Sequence, residues 1–185
     1  MKLSWIVYRA AFCAVAAAAL LAARPAMAQV SFGSVTFGSP GDPPRVALEA
    51  GAFDFIPSNH PDARTAADLR GEYRFGDRLW ILSPFIGASG TSDGGFYGYF
   101  GFGIDINFGR NWVLTPNAAA GYFYRGGGTN LGSFWEFRTG AELDYRFENQ
   151  DRLGIAVHHM SNAGLTQRNP GEESAVLVYT VPVSW

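Results

Sequence analysis

Apolar and polar residues alternate along most of the chain after residue 45. The clearest case is FGFGIDINFG, in which the apolar residues from Phe100 to Phe108 share one parity, and glycine, aspartate and asparagine share the other. The segments 69–75 (LRGEYRF) and 136–147 (EFRTGAELDYRF) repeat this pattern with charged residues at alternate positions. A period of two indicates β-strands, each with one apolar face and one small or charged face.

The spacing of these segments predicts eight strands. We place them at residues 46–56, 67–75, 79–89, 96–108, 112–124, 133–147, 152–161 and 173–185. The connections alternate between short turns (GDR, GRN, ENQD) and longer loops at residues 57–66, 90–95, 125–132 and 162–172. Outer-membrane barrels have short turns on the periplasmic side and longer loops at the cell surface.

The two faces of the strands decide between a soluble sandwich and a membrane barrel. The polar faces carry both charge signs, which suits ion pairs in a narrow lumen, and the apolar faces have Phe and Tyr near the strand ends, as in aromatic girdles. The last segment, AVLVYTVPVSW, ends on Trp185, similar to the assembly signal of bacterial outer-membrane proteins. We therefore predict an all-β fold, an eight-stranded antiparallel transmembrane β-barrel whose lumen is filled by side chains.

The N-terminal segment differs from the rest. Lys2 and Arg9 precede a short apolar run, AAFCAVAAAALLAA, and the small-x-small sequence AMA follows at residues 26–28. This order predicts a secretory signal peptide over residues 1–28. The alternative, a membrane anchor, needs a run of about 20 apolar residues. The mature protein is then one barrel domain, residues 29–185, in which residues 29–44 form a periplasmic lead-in.

Composition narrows the chemistry further. The one cysteine, Cys13, leaves with the signal peptide, so the mature chain has no disulfide and no thiolate for catalysis or metal binding. Removing Lys2, Arg9 and Arg24 from 14 basic residues leaves 11 against 16 acidic residues, a formal net charge of −5. With no basic run, nucleic acid is not an expected partner, and we expect no metal and no other cofactor.

The segment HHMSNAGL, residues 158–165, holds the candidate chemistry. His159 and Ser161 continue the outward row of Leu153, Ile155 and Val157, because residues two apart on a strand share a face.

On the last strand, Glu173 shares the outward parity of the apolar residues, so antiparallel pairing brings it across from His159 or Ser161. The three residues have the types of a hydrolase triad, with Ser161 as nucleophile, His159 as base and Glu173 orienting the imidazole. The alternative is that these are polar strand-end residues that only meet lipid headgroups.

The same stretch, HMSNAGLTQRNPGEES, resembles the C-terminal signature of the lipid A 3-O-deacylases of Gram-negative outer membranes, the PagL-type acyloxyacyl hydrolases. The resemblance places the family's catalytic residues on His159, Ser161 and Glu173, and implies an esterase that works without a metal. It places the family's loop asparagines on Asn162 and Asn169. Glu172 departs from the pattern, because an apolar residue is expected there.

The sequence thus predicts an outer-membrane serine esterase that removes the ester-linked 3-O-acyl chain from lipid A of lipopolysaccharide. We expect the site near the outer leaflet, with oxyanion donors among Asn162, Gly164 and Asn169. Two alternatives stay open: a non-catalytic small barrel with an adhesive or structural role, and a small-molecule channel. The oligomeric state is also open, and a homodimer is compatible with the sequence.

Overall fold

A computed structural model describes residues 29–39, 41–56 and 61–183. The predicted signal peptide, residues 1–28, lies outside the described residues. The strands are β1 (Val30–Phe32), β2 (Val35–Phe37), β3 (Arg45–Phe53), β4 (Ala66–Arg74), β5 (Ser83–Thr91), β6 (Phe96–Gly103), β7 (Ile106–Phe108), β8 (Trp112–Tyr124), β9 (Trp135–Arg146), β10 (Arg152–Ser161) and β11 (Glu172–Pro182). In the part of the chain that the structure describes, no helix is long and apolar enough to span a membrane.

The strands form a closed antiparallel barrel. Neighbouring strands pair in the order β7-β8-β6-β5-β4-β3-β11-β10-β9, and β9 also pairs with β8, which closes the ring. Because β6 and β7 both pair with β8, they are two parts of one barrel strand, interrupted at residues 104 and 105. The prediction of an eight-stranded antiparallel barrel is confirmed.

Residues 29–44 contain structure that the alternation pattern did not reveal. Strands β1 and β2 form a hairpin, and β2 pairs with β7 over Val35–Phe37. Strand β5 pairs with β6 only as far as Gly103 and does not reach β7. The hairpin occupies the edge of β7 that is left unpaired by β5. The expected lead-in is therefore a short extension of the sheet.

The third barrel strand begins later than the sequence indicated. Leu79 and Leu82 bridge each other across a turn, and Trp80 within it has a φ of 61°, a left-handed conformation that a strand does not contain. The connection therefore runs over residues 75–82, and β5 begins at Ser83 instead of residue 79. The predicted strands 112–124 and 152–161 match β8 and β10 at both ends. The predicted strand 96–108 has the outer bounds of β6 and β7 but is interrupted between them, and the remaining four differ by one to three residues at their ends.

The barrel wall separates the two kinds of side chain as the parity predicted. Its outer surface exposes apolar residues on every side, among them Leu48, Leu69, Ile86, Phe100, Leu143, Ile155 and Leu177. Its interior holds buried charged residues, among them Arg45, Glu49, Arg70, Glu72, Asp105, Arg138, Glu142 and Arg152. A soluble protein has the opposite distribution, with charged side chains outside and apolar ones inside. Apolar side chains outside and charged side chains inside are typical of a barrel that faces lipid.

The interior is packed in two layers. Towards the end that carries the β10–β11 loop, Phe53, Tyr97, Phe123 and Met160 belong to an apolar cluster. Below it, charged side chains pair across the lumen; the Arg74 guanidinium, for example, donates two hydrogen bonds to the Glu142 carboxylate, at 2.6 and 2.8 Å. These pairs compensate much of the cost of burying the charges.

Candidate functional site on the outer wall

Strands β10 and β11 place a histidine and a carboxylate side by side on the outer wall. His159 and Glu173 are direct partners in the antiparallel register, and Nδ1 of His159 lies 3.2 Å from Oε1 of Glu173. Both side chains are about half exposed, at 50% and 44%. With the ring proton on Nδ1, this contact fixes the imidazole and leaves the Nε2 lone pair to accept a proton.

Ser161 lies two residues beyond His159 on the same face of β10. It is the last residue of the strand, and it pairs with Phe137 of β9. The β10–β11 register ends at Met160 and Glu172, so beyond this point the chain is free to form the loop at residues 162–171. The structure thus pairs His159 with Glu173 and places Ser161 at the end of the same face of β10, and the hydrogen bonds of the described residues include none between Ser161 and His159.

Gly171 packs against the imidazole of His159 from the loop side. A Cβ at position 171 would lie 2.7 Å from Cε1 of His159, closer than carbon atoms approach without displacement. Its φ of 72° is also left-handed, which favours glycine. A side chain at this position would push the imidazole aside, so Gly171 shapes the site although it supplies no reactive group, and sequence reasoning missed it.

Hydrogen bonds inside the loop use most of the predicted oxyanion donors. The side-chain amide of Asn162 donates to the Leu131 and Arg168 carbonyls at 2.9 and 2.8 Å. The Asn162 side-chain oxygen accepts the N–H of Gly164, and the Asn162 N–H donates to the Asn169 side-chain oxygen. These bonds hold the loop in one conformation beside Ser161. The side-chain nitrogen of Asn169 takes part in none of the bonds named here.

An ion pair between loops supports this arrangement. The Arg168 guanidinium donates to the Asp62 carboxylate and to the Asn130 carbonyl, which joins the β10–β11 loop to the β3–β4 and β8–β9 loops. Partial burial acts to raise the pKa of Asp62, but the Asn130 N–H and the Arg168 guanidinium outweigh it and hold this pKa below its usual value. The loops around the site therefore form one connected rim.

The neighbours of the three outward residues point into the barrel. His158 is buried, and its Nδ1 lies 3.0 Å from Nη1 of Arg70. Glu172 and Ser174, on either side of Glu173, are fully buried, and Oε2 of Glu172 accepts the N–H of Asp54. Across residues 29–39, 41–56 and 61–183, no three histidine, cysteine or acidic side chains are grouped to hold a metal ion.

Comparison with known proteins gives the family of the chain and its fold. The family model for lipid A 3-O-deacylase (PagL) matches residues 65–182, which is most of the barrel. A lipid A deacylase PagL from Pseudomonas aeruginosa is 41% identical over 59 residues, 32% of this chain and 34% of that protein, so the chain matches about a third of the length of this relative.

A solved structure, described as the crystal structure of the outer membrane enzyme PagL, superposes with a TM-score of 0.60 at 22% identity, covering 75% of this chain and 99% of the other. The fold is therefore that of a small outer-membrane barrel. The chain belongs to the lipid A 3-O-deacylase (PagL) family, and it is an outer-membrane β-barrel protein.

Proposed function

We propose that this protein is a serine esterase that removes the 3-O-acyl chain from lipid A, and that Ser161, His159 and Glu173 carry out the reaction. The observation that supports this most directly is the 3.2 Å contact between His159 and Glu173, with Ser161 on the same outward face, in a chain of this family. A strand-end histidine that only met headgroups would need no aligned carboxylate and no glycine behind its ring.

In this mechanism the Ser161 hydroxyl attacks the carbonyl carbon of the ester. Nε2 of His159 takes the serine proton, and Glu173 stabilises the imidazolium that forms. The tetrahedral intermediate then expels the sugar oxygen, which receives the proton held by the His159 imidazolium. A water molecule, activated by the same imidazole, cleaves the acyl–serine ester and releases the fatty acid.

The oxyanion of the tetrahedral intermediate needs hydrogen-bond donors at the loop beside Ser161. Asn162, Gly164 and Asn169 remain our candidates. The N–H of Gly164 and the side-chain amide of Asn162 already donate hydrogen bonds within the loop. We therefore assign the oxyanion-donor role first to the side-chain amide nitrogen of Asn169, which these bonds do not use. Catalytic hydrogen bonds often form only when the substrate is bound.

The position of the site indicates how a substrate reaches it. His159 is in line with Val157 and Ile155, which are exposed on the apolar wall. A lipid in the outer leaflet can present its ester to this edge from the side while its acyl chain stays against the wall. Lipid A, whose acyl esters lie at the boundary between sugar and hydrocarbon, has the required geometry.

The direct test is to incubate the purified, folded barrel with lipopolysaccharide in mixed micelles. We expect mass spectrometry of the lipid A to show the loss of one ester-linked acyl chain and a matching amount of free fatty acid. Loss of an amide-linked chain, or no release from a barrel shown to be folded, would contradict the proposal. In the second case, conductance in planar bilayers would test the channel interpretation.

A further inference from the structure

Asp54, the residue that follows β3, has an unusual backbone conformation. Its φ is 51°, in the left-handed region that residues other than glycine seldom occupy. Three groups hold it there: Glu172 Oε2 accepts its N–H at 3.1 Å, the Thr65 hydroxyl donates to its carbonyl at 2.9 Å, and the Thr129 hydroxyl donates to its carboxylate at 2.7 Å. Backbone strain that the surroundings maintain in this way is often found at functional sites.

The consequence of this turn is the placement of Phe55. Its N–H donates to the carbonyl of Glu173 at 2.9 Å, so Phe55 is fixed beside the carboxylate residue of the site. The ring is not buried, with 40% of the residue exposed, and it faces the outer wall. A strained turn held by a buried carboxylate thus brings one aromatic ring next to His159 and Glu173.

Phe55 lines a groove that reaches two of the three site residues. The groove has a volume of about 440 Å³, and His159 and Glu173 belong to its lining. Val157 contributes apolar surface below His159, and the small residues Gly140 and Ala141 of β9 leave space opposite. The groove is therefore continuous with the site and open to the outer, lipid-facing side of the barrel.

The chemistry of this lining selects the occupant. Apart from the two site residues, the groove offers mainly apolar surface on a wall that faces hydrocarbon. A saturated acyl chain fits such a surface, and because His159 and Glu173 line the groove, the ester of that chain would lie beside them, with Ser161 two residues beyond His159 at the end of β10.

We propose that Phe55 is a specificity-determining residue that contacts the acyl chain of the substrate in this groove. We further propose that Glu172 is a positioning residue, which acts through the Asp54 turn. Both statements rest on the proposed esterase function. They also give a role to Glu172, whose carboxylate stands where the family resemblance led us to expect an apolar side chain.

The test compares two substrates that differ only in acyl length, glucosamine derivatives with a 3-O-decanoyl or a 3-O-butanoyl ester, in mixed micelles. We expect the wild-type protein to prefer the decanoyl ester in kcat/KM. Phe55→Ala should reduce this preference by about tenfold through a higher KM, with kcat nearly unchanged, because a butanoyl chain fills little of the groove. Ile56→Ala, which changes the next apolar residue, more exposed than Phe55 and outside the groove, should keep the wild-type preference.

The positioning role of Glu172 is tested by the same ratio of kcat/KM for the decanoyl and butanoyl esters. Glu172→Gln keeps an oxygen acceptor for the Asp54 N–H and should retain the preference, whereas Glu172→Ala should lose it to the same extent as Phe55→Ala. The double variant Phe55→Ala/Glu172→Ala should lose no more than either single one, since both changes act on one contact. If Glu172→Ala does not fold, Thr129→Val removes another support of the same turn and should reproduce the loss.

The outcomes separate this inference from the function on which it rests. A folded wild-type protein that cleaves neither ester contradicts the proposed function itself. A wild-type protein that cleaves both esters equally well, or a Phe55→Ala variant that keeps the decanoyl preference, overturns the role of Phe55. If Phe55→Ala loses the preference while Glu172→Ala and Thr129→Val keep it, the positioning role of Glu172 is wrong.

Discussion

His158 and His159 are consecutive residues of β10, and the barrel wall lies between their side chains. His158 is 5% exposed and contacts Arg70, which also donates to Asp68 and to Ser174. His159 is half exposed and contacts a single carboxylate, that of Glu173. The same side chain therefore belongs to a closed polar network on one face and to an accessible pair on the other.

This difference separates stability from chemistry. Inside the barrel, many charged groups have partners on other strands, as Arg74 has in Glu142 and Arg138 has in Glu72, so removing one weakens the compensation of a buried charge. On the outer wall, the ring of His159 has one nitrogen engaged with Glu173, and water or substrate can reach the other. A change on the inner face should therefore reduce stability, and a change on the outer face should reduce activity.

The largest expected effect is on the outer face. Ser161→Ala, His159→Asn and Glu173→Ala should each lower the turnover of lipid A by about 10³-fold or more, without loss of the folded barrel. Residues of a triad act as a unit, so the double variant Ser161→Ala/His159→Asn should be little worse than the worse single one. Fatty acid release per folded molecule measures this, with folding judged by heat-modifiable gel migration.

The matched control is the neighbouring histidine. His158→Asn changes the same residue type one position away, on the inner face, and should keep the activity of each folded molecule. Equal losses of activity in His158→Asn and His159→Asn would show that the two faces are not separate in function.

The second-largest expected effect is a loss of stability caused by a change on the inner face. Glu142→Ala removes the partner of two Arg74 hydrogen bonds and should cost about 3–5 kcal/mol of unfolding free energy. Urea titration in lipid vesicles measures this. Glu148→Ala, in the exposed turn after β9, serves as the control and should change stability by no more than about 0.5 kcal/mol. A Glu142→Ala barrel as stable as wild type would mean that the interior pairs contribute little.

A charge on the outer wall should have an intermediate effect. Val157→Lys, below the site, should cost about 1–3 kcal/mol of stability at that depth. It should also impair acyl docking more than Ala156→Ser, a small change on the inner face of the same strand. Activities are compared at equal amounts of folded protein. If Ala156→Ser abolishes hydrolysis and Val157→Lys does not, substrate enters through the lumen.

The smallest effect concerns the loop rim. The pKa of Asp62 is held below its usual value of 3.8, so its pair with Arg168 stabilises the fold above that pH and loses this contribution as the pH falls through the lowered pKa. Asp62→Asn should therefore lower the free energy of unfolding at pH 7 by at most about 1 kcal/mol. The difference from wild type should shrink as the pH falls through the lowered pKa of Asp62. A difference that stays constant through this range would assign the effect to something other than the ion pair.

The sequence predicted those parts of the molecule that repeat with a period of two. Alternation gives the parity of each strand, and parity alone placed Glu173 outward and Glu172 inward, as the structure has them. The antiparallel connection of β10 and β11 then brought His159 and Glu173 together, and their direct pairing confirms that step.

The features that sequence reasoning missed depend on contacts between distant segments or on single backbone angles. The β1–β2 hairpin is too short to show alternation, and its position depends on the edge that β5 leaves at β7. The left-handed conformations of Asp54 and Trp80 have no glycine or asparagine to signal them. The role of Gly171 becomes visible only when the imidazole of His159 is in place.

The outward position of the site has a kinetic consequence. In the proposed reaction, a substrate that approaches from the side meets the protein by lateral diffusion in two dimensions, and both the shortened lipid and the released fatty acid would start out in the same leaflet. The quantity that sets the rate is then the mole fraction of substrate in the membrane surface, not its concentration in the bulk solution. Diluting the lipid with inert detergent at constant total substrate should slow the reaction, as surface dilution does for interfacial enzymes.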